Sequence, residues 1–117
     1  MDIILASQSP RRKQLLSILG LKFEFISSDF DESTVEFNIS PQKFCETLAY
    51  NKAKVVADKF PENLVIGADT IVFCDNKMYP KPKNSKIASI FLNELSNKTH
   101  HVYTGLSLIR GDRVRTF

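Results

Sequence analysis

Ile3-Ile4-Leu5-Ala6-Ser7-Gln8-Ser9-Pro10-Arg11-Arg12 decides the fold class of this 117-residue chain. The opening apolar run reads as a short buried strand over residues 2–6. The pattern then changes period at once. Ser9 is a helix-capping residue and Pro10 suits the first helical position. Leu15, Leu16, Ile18 and Leu19 give a helix over residues 10–19 an inward apolar side, and Gly20 closes it. A strand that delivers the chain straight into a helix is the first half of an α/β unit. It also gathers two hydroxyls, Ser7 and Ser9, and two guanidinium groups, Arg11 and Arg12, at a helix start. Unpaired N–H groups and a partial positive charge point outward there. Such a cluster suits an anion, most simply a phosphate. The plainer reading is an ordinary strand–cap–helix turn with solvated arginines.

The alternation continues downstream. Phe23-Glu24-Phe25-Ile26 reads as a strand, and residues 27–40 as a polar loop carrying Asp29, Asp31 and Glu32. Ser40-Pro41 repeats the capping pair and opens a helix that runs to about Lys59, before Pro61. Leu64 to Cys74 is a strand region, Asp75-Asn76 a turn, and Lys77-Met78-Tyr79 a short returning strand. Residues 84–96 form a third helix with Ile87, Ile90, Phe91 and Leu95 inward, and Thr99 to Ile109 a further strand. Gly111-Asp112 turns the chain into a last short arm. This order predicts one domain over residues 1–117, a three-layer α/β domain around a mixed sheet. An edge built from residues 99–109 is expected to lie unpaired, and such edges recruit other chains, so a homodimer is one expectation.

Composition narrows the classes. At 43% hydrophobic and 25% charged residues, the chain has the make-up of an ordinary globular domain. A net charge of +3 and weak aromatic–basic interleaving argue against a stable nucleic-acid partner. No run approaches the ~20 apolar residues of a membrane span, and no signal peptide is visible. Cys45 and Cys74 match no metal spacing and read as buried thiols of a cytoplasmic protein. His100-His101 lacks further ligands at metal spacing; one ring is expected to face inward as a structural histidine.

Two charged residues stand in apolar company. Asp69 lies inside Leu64-Val65-Ile66-Gly67-Ala68-Asp69-Thr70-Ile71-Val72-Phe73, as at a sheet centre. A carboxylate there needs a cation, a metal or several donors, or else its pKa shifts. Gly67 allows another backbone or a ligand to come close. Lys52 falls near the middle of a helical stripe, with Phe44, Leu48 and Val55 on one side and Cys45, Ala49 and Val56 on the other. From there its ammonium is expected to reach an internal cleft and meet an anion, a phosphate among the candidates. Asp31-Glu32, together with Asp69, could supply hard oxygen ligands to Mg²⁺. Lys81 is held between Pro80 and Pro82, which stiffen the backbone around it.

These residues fall into ordered motifs. Ser7-x-Ser9-Pro10-Arg11-Arg12, Leu15-Leu16, Gly20, Asp31-Glu32, Leu48-Ala49-x-x-Lys52-Ala53, Gly67-Ala68-Asp69-Thr70, Lys81-Pro82 and Leu95-Ser96 with His100-x-Val102-Tyr103-Thr104-Gly105 follow one another along the chain. In this the chain resembles the Maf family of nucleoside triphosphate pyrophosphatases. The resemblance implies a Maf/inosine triphosphate pyrophosphatase-like fold, of which this would be the N-terminal part with the C-terminal part absent. It implies hydrolysis of dTTP or UTP to the monophosphate and pyrophosphate with a divalent metal, Mg²⁺ or alternatively Mn²⁺. Asp69 matches the family's catalytic aspartate, as base or metal ligand. Ser7, Arg12, Glu32, Lys52 and Lys81 match polar residues of the substrate and metal cleft, with Glu32 and Asp69 toward the metal. Arg11 and Thr70 match two positions that separate the dTTP/UTP subgroup from a 7-methyl-GTP subgroup carrying Trp and Gln. Pro80 stands where the family usually has glycine. The other reading is a truncated, inactive nucleotide-binding module.

Overall fold

The computed structural model describes residues 2–7, 9–35, 40–75, 77–79 and 84–117. Its elements are β1 (Ile3–Ala6), α1 (Pro10–Ile18), β2 (Phe23–Ile26), a 3₁₀ turn (Glu32–Thr34), α2 (Pro41–Ala57), β3 (Leu64–Cys74), β4 (Lys77–Tyr79), α3 (Ser85–Leu95), β5 (His101–Arg110) and β6 (Arg113–Thr116). The caps form as the residues dictate. Ser9 Oγ accepts from Arg12 N, Ser40 Oγ from Lys43 N and Asn84 Oδ1 from Ile87 N. Gly20, just past α1, takes a positive φ of 75° that a side chain would resist.

The expected mixed α/β sheet is present, in the order β2-β1-β3-β5-β6, with β4 paired to β3. β1 is parallel to both β2 and β3, whereas β5 runs antiparallel to β3 and β6 antiparallel to β5. The connection through α1 moves from β1 outward to β2, and the one through α2 moves back across β1 to β3. Right-handed crossovers in opposite directions place α1 and α2 on opposite faces of the sheet.

α2 covers its face closely. A Cβ on Gly67 would strike Ala49 O and Ala53, and one on Gly105 would strike the Cys45 carbonyl. The two glycines therefore let helix backbone rest on strand backbone, the close approach expected at Gly67. Ile4, Ala6, Ala53, Val56, Val65 and Ile109 form one buried cluster, and Phe44, Cys45, Leu48 and Ile71 a second. Both cysteines are free and buried, as expected. Burial pushes the Cys45 thiol up to about 11, so it stays protonated and donates to the Tyr103 carbonyl at 3.3 Å. Gly105→Ala should cost about 3 kcal/mol or more, because the opposing atoms are helix backbone and cannot rotate away. Urea unfolding measures this; a loss below about 0.5 kcal/mol would show that α2 can lift freely.

Three expectations are corrected. α1 and α3 bury no residue: Ile18 is 79% exposed, and Leu15, Leu19 and Ile90 are exposed too. α1 engages the sheet through Arg12 in its first turn, while α3 is held by β4 at its side. Phe91 meets Tyr79 edge-on at 5.1 Å, and Lys77 Nζ donates to Glu94 Oε1 at 2.9 Å. The strand of residues 99–109 is an edge only in part: β3 runs along His101–Ile109 on one side, whereas on the other β6 pairs Ser107–Arg110 and, among the described residues, no strand pairs the first half of β5. Neither histidine turns inward: His100 and His101 are both exposed, and His101 stacks on Tyr103 with ring centroids 6.2 Å apart.

Candidate active site

Side chains alternate across a strand, so Asp69 and Thr70 leave β3 on opposite faces. Asp69 shares the α2 face with Gly67 and Ile71, and lies at the seam between the two apolar clusters. It is only 8% exposed. Its partner across the sheet is Gly105, which brings no side chain to screen it. Lys52 stands over this seam, one turn from Leu48 and one from Val56. Its Nζ donates to Asp69 Oδ1 at 2.7 Å and pairs with Glu32 Oε1 at 2.5 Å. The buried stripe thus carries a lysine because its stem packs and its head is fully engaged. The 3₁₀ turn presents Glu32, and the Asp31 carbonyl accepts both the Thr34 hydroxyl at 2.8 Å and its N–H at 3.2 Å.

One ammonium lies between two carboxylates, and Asp69 and Lys52 both hold their protons more tightly than usual, for different reasons. Burial pushes the Asp69 carboxyl above its ordinary value, with Glu32 adding to the effect; Lys52 and Arg12 offset only part of this. Burial pulls Lys52 down, but its hydrogen bonds to Asp69 and Glu32 more than reverse this, and it stays charged.

On the other face, Arg12 Nη2 donates to Thr70 Oγ1 at 3.1 Å. Thr70 Oγ1 lies 3.0 Å from Thr104 Oγ1, directly across from it on β5. Gln42 Nε2, in the first turn of α2, donates to the Thr104 carbonyl at 3.3 Å. Ser7 is buried and accepts from Ser9 N at 3.0 Å. Continuing the β1–β3 register from Leu5 and Ile66 brings Ser7 level with Ala68, beside Asp69.

Ser7, Ser9, Arg12, Glu32, Lys52, Asp69 and Thr70 therefore gather around the end of β1. Arg11 is exposed on α1, and no described hydrogen bond or ion pair joins it to the group. Lys81 lies outside the described residues. Thr104 and Gln42 join the site without having been singled out for it, since only the β3–β5 register sets Thr104 opposite Thr70. A separate depression of about 640 Å³, lined by Pro61, Glu62, Arg110, Asp112 and Arg113, holds none of these residues.

The profile of a family described as "Maf-like protein" matches residues 2–116. The chain belongs to the Maf family. Similar curated proteins include a "dTTP/UTP pyrophosphatase" of Ruminiclostridium cellulolyticum, 48% identical over 92% of this chain and 56% of that protein. Another of the same description, from Acholeplasma laidlawii, is 41% identical over 98% of this chain and 60% of its own length. The Maf chain thus spans somewhat over half the length of these relatives. Among solved structures, the Staphylococcus aureus Ham1 protein superposes with a TM-score of 0.65 at 19% identity, over all of this chain and 68% of that one. A Mycobacterium abscessus dITP/XTP pyrophosphatase gives 0.58 at 17% identity, covering 70% of its chain. These likenesses establish the shared fold. No helix among the described residues is long and apolar enough to cross a membrane.

Proposed function

We propose that this Maf chain is the catalytic part of a nucleoside triphosphate pyrophosphatase acting on dTTP and UTP. The observation that carries the reading is Lys52 clasped by Asp69 and Glu32 beside Arg12, at the sheet end where β1 enters α1. The donors fit a hard divalent cation. Glu32 Oε1 and Asp69 Oδ1 already converge on one cationic nitrogen. Among the described residues no group of three or more acidic, histidine or cysteine side chains could cage a metal alone. Two carboxylates completed by substrate phosphates are the Mg²⁺ arrangement, and Mn²⁺ suits the same oxygens. Bound there, the metal would supply charge neutralisation on the phosphates.

The chain's own groups divide the remaining work. Ser7, Ser9, Arg11, Arg12 and the start of α1 hold phosphate oxygens, and Thr70 and Lys81 complete the substrate contacts. Lys52 exchanges a carboxylate for a phosphate oxygen. Asp69 accepts the proton of a water that attacks the α-phosphorus. The α–β phosphoanhydride bond breaks and pyrophosphate leaves. A cytoplasmic location, a homodimer and the absence of a stable nucleic-acid partner complete the reading.

The test is product analysis. With dTTP and Mg²⁺ the protein should release dTMP and pyrophosphate in equal amounts, and chelation with EDTA should stop it. Nucleotide binding without pyrophosphate would favour the non-catalytic module. The pH profile is a second check. Asp69 must be ionised to accept a proton, and burial raises its pKa. Activity should therefore fail on the acid side at a higher pH than the ordinary value of 3.8 would give. In Asp69→Glu, whose longer side chain reaches toward water, that limb should move down. An acid limb unmoved by substitution at Asp69 would assign it to another group.

A further inference from the structure

We propose that Thr104 is a positioning residue of the triphosphate site, whose hydroxyl locks Thr70 and through it aims the Arg12 guanidinium; this rests on Arg12 being a phosphate ligand. A threonine hydroxyl has one proton and two lone pairs. Thr70 Oγ1 spends one lone pair on Arg12 Nη2 at 3.1 Å and meets Thr104 Oγ1 at 3.0 Å. Either hydroxyl of the pair can donate, and in both settings the Thr70 oxygen is held between two partners with a lone pair facing Arg12. Thr104 is itself anchored. Its backbone stands in an antiparallel register with Thr70, and its carbonyl accepts from Gln42 at the start of α2. β3, β5 and α2 thus meet at this residue, and α1 joins them through Thr70.

The network is poorly placed to stabilise the fold. All three of its side-chain contacts are exposed, where water replaces a lost neutral hydrogen bond at little cost. Its effect falls on Arg12, a long side chain that otherwise loses rotamer freedom when it grips an anion. Holding the guanidinium in place beforehand lowers the cost of binding.

The experiment compares Thr104→Val, which keeps the shape and removes the hydroxyl, with Thr104→Ser, which keeps the hydroxyl. Thr104→Val should raise KM for dTTP about fivefold, the worth of one neutral hydrogen bond. Its kcat should stay within about twofold and its Tm within about 2 °C. In the ligand-free protein the Arg12 Nε–H NMR signal should lose order. Thr104→Ser should restore both KM and order. An equally ordered Arg12 in ligand-free Thr104→Val overturns the proposal alone, as does a serine variant no better than valine. A valine variant that loses kcat and Tm together marks a structural role and also overturns it. A wild-type protein that neither binds nor hydrolyses dTTP overturns the functional reading and this proposal with it.

Discussion

Asp69→Asn should lower kcat for dTTP hydrolysis by about three orders of magnitude, the span lost with a general base. KM should change much less, because the substrate's phosphates are held mainly by cations. The fold should survive. Asn is the same size, and its carbonyl can still accept from Lys52. The charge is also a burden to the folded state. Asp69 holds its proton more tightly folded than unfolded, so its contribution to stability is present below 3.8 and is lost as pH rises through the folded value. At neutral pH the ionised group therefore costs stability, and a neutral replacement relieves that cost. Steady-state pyrophosphate release and thermal melting at pH 7.5 decide the matter. A near-normal kcat would remove Asp69 from the chemistry, and a collapsed melting curve would make it a structural residue.

Lys52→Met should weaken nucleotide binding about a hundredfold or more, since the one cation held between Asp69 and Glu32 is gone. The apolar stripe of α2 becomes continuous, yet Asp69 and Glu32 are left facing each other without their shared ammonium. That should cost roughly 2–3 kcal/mol at pH 8, the penalty of a partly buried charge without its partner. The loss should shrink at lower pH, as Asp69, whose burial raises its pKa, takes up a proton. Mn²⁺, freed from competition with the ammonium for the same two oxygens, should bind more tightly than to the wild type. Calorimetry with dTTP and with Mn²⁺, and urea unfolding at pH 8 and at lower pH, give the three readouts. Unchanged dTTP affinity would contradict the role of Lys52. Weaker Mn²⁺ binding would show that the carboxylates do not form the cation site.

The parts of the site legible in the sequence were those written in local rules. Lys52 stands out because a helix repeats every 3.6 residues, and its neighbours at that period are apolar. Asp69 stands out because it interrupts a long apolar strand. Ser9 declares itself by the capping pair with Pro10. Glu32 was visible only as one member of an acidic loop, since nothing local says which loop carboxylate turns inward. Thr104 could not be assigned a role from sequence, as its chemistry comes from a residue 34 positions away. The apolar residues of α1 misled for the reverse reason. Periodicity tells which side of a helix is apolar, not whether a sheet face lies against it.

The same division runs through the whole molecule. Helix starts at Ser9 and Ser40, the strand from Leu64 to Cys74, the return at Lys77 and the turn at Gly111 were settled by the chain alone. Capping, side-chain period and the left-handed turn at Gly111 each involve residues within a few positions of one another. The order β2-β1-β3-β5-β6, the antiparallel setting of β5 and the outward histidines were decided only by tertiary structure. Strand edges present the same N–H and C=O groups whatever their sequence, so pairing is chosen by which faces can be buried together. Here α2 makes that choice. It rests its backbone on the sheet at Gly67 and at Gly105, two positions on the same face that lack side chains, and that placement carries Lys52 to Asp69.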